Sequence, residues 1–166
     1  VRQPERPHWA AEQRQRVDEI VDEYRVAVHH SLNDLTEEEA RRRLVPSKTT
    51  LLGLVKHATF VEAVWFDQAV TRRSYAEMGV AGTVDDSFTL RTGDTIASVQ
   101  ATYRKRWETS RRNLASLQSG DMVNGRGPRP VWAVQLQVLR ELAQHAGHAE
   151  ILREQILADR KSDRGE

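Results

Sequence analysis

The chain has 166 residues, enough for one domain with a core and too few for two of ordinary size. Its 25 basic and 24 acidic residues leave a formal charge of +1, so no large field favours nucleic acid or an anionic membrane. Cysteine is absent, which excludes disulfides, thiolate metal sites and a cysteine nucleophile.

No apolar run approaches the ~20 residues of a membrane span. The stretch from Val1 to Pro4 lacks the apolar core of a signal peptide. The expectation is one cytoplasmic domain over residues 1–166, without membrane or nucleic-acid partners.

Four segments carry helical periodicity. The first runs from about Ala10 to Leu32, with Val17, Ile20, Val21, Tyr24 and Val28 on one stripe. Asn33 and Asp34 end it, and His29 and His30 are placed to favour its C-terminal dipole. Thr36 and Glu39 read as a capping box that opens a short helix through Arg43, limited by Pro46. Arg41, Arg42 and Arg43 are read as a solvated face. The second long helix begins at Thr49 or Thr50 and continues to about Arg73, with Leu51, Leu54, Val55, Ala58, Val61, Trp65 and Ala69 facing inward.

A glycine-bearing connection from about Ser74 to Gly93 follows. It is long enough to cross over between parallel neighbours and to roof a site. Asp94 or Thr95 caps a third helix, whose stripe is Ile96, Val99, Tyr103, Trp107, Ser110, Leu114 and Leu117. Gly120 to Pro130 is a loop. The fourth helix runs from Val131 or Trp132 to about Ala158, and the charged tail 159–166 is expected to fray. Trp65, Trp107 and Trp132 are read as core. The fold class is all-α, a four-helix bundle with a long crossover between its second and third helices.

The fourth helix carries the chemistry. Val134, Val138, Glu141, His145, His148 and Leu152 form a heptad seam that is half apolar. A carboxylate on such a seam is costly unless a cation or strong donors meet it. Glu141 and His145 are one turn apart and share a face. His57 sits in an apolar neighbourhood with Leu54, Phe60, Val61 and Val64 and is the natural third ligand. Two histidines and a carboxylate with an open position make a catalytic zinc arrangement, and they hold other first-row metals too. On spacing alone, a hydrogen-bonded core histidine and a surface Glu–His pair stay open as alternatives. For His148, a partner of the ligands, a substrate contact and a plain polar residue at the mouth are all open readings.

Two stretches resemble the DinB/YfiT-like superfamily, in the actinobacterial branch akin to mycothiol-dependent enzymes. They are Arg41 to His57 (RRRLVPSKTTLLGLVKH) and Glu141 to Glu154 (ELAQHAGHAEILRE). The resemblance implies a metal near one end of the bundle, with His57, Glu141 and His145 as ligands. Relatives of this branch often carry a histidine at the position of Gln137 and an acidic residue at that of Arg140. Gln137, one turn before Glu141, and His148 are therefore the candidates for supporting the ligands or touching substrate.

The resemblance further implies one divalent metal, zinc favoured and nickel or another first-row ion open, with mycothiol as co-substrate. A metal deprotonates a thiol that binds it, so the expected activity is an S-transferase or isomerase acting on an electrophilic substrate. Metal-bound water would instead make a hydrolase, and a non-catalytic metal- or ligand-binding bundle is the third reading. The open fourth position argues against a purely structural site. A homodimer is left open.

Overall fold

The computed structural model describes residues 8–163, and helices account for most of them. Helix α1 spans His8–His30 and buries Val21, Arg25, Val28 and His29 on one side. A turn follows and ends at Asp34, whose φ of 61° is left-handed, a conformation that Asp tolerates better than most residues. The capping box then forms as expected. Thr36 Oγ1 accepts from Glu39 N–H at 3.2 Å, and Glu39 Oε2 accepts from Thr36 N–H at 2.8 Å. The helix it opens, α2, covers Glu37–Ala40 and stops short of the arginines. Arg41, Arg42 and Arg43 are not a free solvated face. They reach the Asp94 carbonyl, the Asp159 carboxylate and the Ser47 carbonyl respectively.

The second long segment begins with α3, Leu51–Glu62, capped by Thr50, whose hydroxyl accepts from Gly53 N–H at 3.0 Å. All of its residues but Lys56 are buried, as expected of a helix apolar all round. It packs on α6 and α7. One turn of π-helix, Ala63–Gln68, continues it, and α4 (Ala69–Thr71) closes at Arg72 in the left-handed region. The periodicity that predicts an inward stripe does not reveal this widened turn. Phe66 O, in this turn, accepts from Asn113 Nδ2 at 3.0 Å.

The connection to the next long helix is not structureless. It contains α5, Val84–Ser87, capped by Thr83. Lys56 Nζ fastens the end of the connection to α3 through Thr89 O at 2.8 Å and Asp94 Oδ2 at 2.7 Å. Helix α6, Ile96–Leu114, is capped by Thr95 and buries Val99, Tyr103, Ser110 and Leu114. The loop after it carries a small antiparallel ribbon, β1 (Met122–Val123) paired with β2 (Arg129–Pro130).

Helix α7 runs Val131–Asp163 and packs on α1 and α3. Helix α7 continues past 159 into the charged tail, as far as Asp163. Arg160 grips Glu39 with both Nε at 2.8 Å and Nη2 at 2.6 Å, which holds the last turns against α2. Residues 164–166 and the stretch Val1–Pro4 lie outside the described residues. Trp132 is 53% exposed rather than core. Among the described residues, no helix is long and apolar enough to cross a membrane.

Candidate metal centre

The apolar face of α7 is formed by Val131, Val134, Val138, Leu142, Ala146, Ala149, Leu152 and Ile156. Glu141 and His145 sit where that face meets the surface, Glu141 half-buried and His145 8% exposed. His148, one turn on, is exposed, so the seam read from the sequence turns out of the core there. Across from them, α3 presents His57, 4% exposed.

The three side chains converge. One donor atom from each of His57, Glu141 and His145 lies within 4.8 Å of the others. Glu141 Oε2 is 3.6 Å from His145 Nε2, and the two imidazoles meet edge to face with ring centres 4.8 Å apart. Donors on a tetrahedral zinc at 2.0–2.1 Å stand ~3.4 Å apart, so the set needs little adjustment to close on one ion. Both nitrogens of His145 are buried and have no hydrogen-bond partner. Such atoms are costly unless something binds them. The residues present fit a divalent metal.

Protonation agrees with ligation. Burial, and then the neighbouring His145, push His57 down to about 3. Burial lowers His145 too, with Glu141 opposing the shift and His148 adding to it. Both rings are therefore neutral near pH 7, the form that offers a lone pair to a metal.

Each of the three side chains has neighbours of its own. Glu141 Oε1 accepts from Gln137 Nε2 at 2.7 Å and from Arg140 Nη2 at 3.2 Å, which leaves Oε2 turned to His145. Gln137 thus touches Glu141 directly. His148 lies 6.0 Å from His145 between ring centres. His57 is held from the connection: its Nδ1 is 2.6 Å from Ser87 Oγ, and Phe88 stacks on its ring at 3.9 Å with 14° between planes.

The sequence reading missed Ser87 and Phe88, having treated their segment as loop. A signal was present, because Thr83 with Asp86 three residues later is a helix-start pattern. Gly53, one turn before His57, was the other. A Cβ there would lie 2.8 Å from Phe88 O, so only glycine lets this backbone rest on α3. Ser87 and Phe60 also line a cleft of about 470 Å³ shared with Lys56, Asp94 and Thr102.

His29 is a different case. The sequence places it to favour the C-terminal dipole of α1, but it is 7% exposed and stacks edge-on against Trp107 at 5.5 Å. Burial, then Arg104 and His30, lower its pKa, so it is a neutral core histidine.

A search of curated proteins finds no match to the chain. The family model described as mycothiol-S-transferase matches residues 8–158, nearly the whole chain and all three converging residues. By that match the chain belongs to the mycothiol-S-transferase family.

Proposed function

We propose that the protein is a mycothiol-dependent S-transferase whose divalent metal, zinc by preference, is held by His57, Glu141 and His145. The observation that carries the reading is the family match over residues 8–158. The convergent donor set supplies a chemical reason for it. A divalent ion there supplies the Lewis acidity that keeps a thiol in its thiolate form at neutral pH.

The chain's own residues do the rest. His57 and His145 are neutral and add no charge, and Glu141 adds one negative charge. The loaded site therefore keeps net positive charge and favours an anionic sulfur over a neutral ligand. Gln137 holds Glu141 Oε1, which directs the other oxygen inward. The chain has no cysteine, so the reacting thiol belongs to the co-substrate. His148 is exposed beside His145 and is our candidate for a contact with the electrophile. Holding thiol and electrophile side by side removes much of the entropic barrier of a bimolecular reaction.

We read the architecture as one DinB/YfiT-like four-helix bundle over residues 1–166, with α1, the α3–α4 segment, α6 and α7 as its helices. The segment between α4 and α6 is then the crossover. The packing of α1 on α7 and of α3 on α6 and α7 supports this. A cytoplasmic setting in an actinobacterial cell completes the reading, since low-molecular-weight thiols are kept reduced there.

The test is thiol conjugation to a generic electrophile by the zinc-loaded protein, with mycothiol, bacillithiol, glutathione and no thiol in parallel. Mycothiol should give the fastest rate, and Gln137→Leu should lower zinc affinity about 10-fold. Equal rates with every thiol and with none, beside metal-dependent ester hydrolysis, would replace the transferase with a hydrolase.

A further inference from the structure

We infer that Ser87 is a positioning residue that fixes His57 in the tautomer with a bare Nε2, free to bind a metal together with Glu141 and His145. The inference rests on the metal reading above for its purpose and on hydrogen-bond arithmetic for its content. A serine hydroxyl has one proton to donate and two lone pairs to offer. The Ser87 proton goes to Val84 O, one turn back within α5. What remains for His57 is a lone pair, so Nδ1, at 2.6 Å, has to carry the hydrogen. In a neutral imidazole the other nitrogen is then unprotonated. Nδ1 is engaged by Ser87, which leaves Nε2 as the free donor His57 can bring to the group it forms with Glu141 and His145. Ser87 is 1% exposed, so water does not compete for the bond.

Two further contacts hold this arrangement. Phe88 stacks on the His57 ring and resists its rotation. Gly53 lets the Phe88 backbone approach α3 to a distance no side chain would permit, since its Cβ would also meet Thr50 Oγ1 at 3.0 Å. Thr83 completes the unit by capping α5 and so sets where Ser87 falls. One short helix from the connection thereby sets both the plane and the protonated edge of a ligand on α3. A partner that fixes tautomer and orientation in this way commonly changes metal affinity about 10–100-fold when removed.

The experiment is ¹⁵N NMR of the imidazole nitrogens on the full chain, metal-free and with zinc added, using His57→Gln to assign the His57 signals. Zinc affinity is measured in parallel by competition with a chromophoric chelator. The wild-type protein should show a protonated Nδ1 and a pyridine-like Nε2 before any metal is added. Ser87→Ala should give mixed tautomers and a 10–100-fold loss of zinc affinity. Ser87→Thr, which keeps the hydroxyl, should restore both. A wild-type His57 protonated on Nε2 overturns the inference, and so does a Ser87→Ala protein that keeps both tautomer and zinc affinity. Should Ser87→Ala fail to fold, the wild-type and Ser87→Thr spectra decide alone. A protonated Nδ1 in a chain that binds no zinc would uphold the hydrogen bond and remove the metal reading, which separates the two claims.

Discussion

Glu62 and His57 lie on the same buried helix, and their surroundings differ in one respect. The Glu62 carboxylate is fully buried but completely answered: Arg25 reaches from α1 with Nε at 2.9 Å and Nη2 at 2.7 Å, and Asp22 takes Nη1 at 2.8 Å. Burial alone would lower the Arg25 pKa; Glu62 and Asp22 outweigh it and hold the guanidinium charged. Asp67, in the π-helical turn, is likewise answered by Arg106 at 2.6 Å and Thr71 at 2.9 Å. At the other cluster, His57 and His145 are buried beside a carboxylate, and both His145 nitrogens are left over. Buried polar groups that close on each other serve the fold. Buried polar groups that converge and remain open point to a ligand. Other buried atoms lack partners too, on His29 and Ser110. Among the described residues, though, only the His57 group also converges with metal-ligand spacing.

The comparison can be broken from either side. The largest effect should come from Glu62→Gln, which leaves the Arg25 charge buried with only Asp22 to meet it. Removing one partner of a buried pair costs about 3–5 kcal/mol. The urea midpoint should fall accordingly while the folded fraction still binds zinc. A loss under about 1 kcal/mol would mean that the pair does not hold α1 to α3.

His145→Ala should do the reverse. Zinc affinity should drop by at least about 100-fold, more than the loss typical of outer partners, and the metal-free chain should remain near wild-type stability. Zinc binds the folded state, so it should raise the wild-type melting temperature and leave that of the variant unchanged. Full zinc retention measured by elemental analysis would remove His145 from the site.

The smallest effect is one of pH on the metal-free chain. His57 is neutral in the folded protein down to about 3, whereas an unfolded histidine takes up its proton near 6.5. Between those values the unfolded state binds more protons, so stability falls as pH falls from about 6.5 towards 3. His57→Gln should flatten the slope of stability against pH between about 6.5 and 5. An unchanged slope would show that His57 is not buried as neutral imidazole.

Much of the helix layout is legible in the sequence, because caps and apolar periodicity are local. Thr36 with Glu39, Thr50 and Thr95 mark helix starts through bonds to backbone three residues away, which depend on nothing distant. The spacing of Glu141 and His145 is equally local, one turn of a helix whose apolar stripe is written in the chain. What the sequence could not decide is which nitrogen of His57 is free, where His148 points and how far α7 runs past 159. Each depends on a partner far along the chain: Ser87 for His57, the rotation of α7 against α1 and α3 for His148, and Glu39 for Arg160. The π-helical turn belongs with these, since Phe66 O within it accepts from Asn113 on α6. Local patterns determine which elements form. The approach of one backbone to another, as at Gly53 and Phe88, determines which side chains meet, and that distance is set only when the core packs.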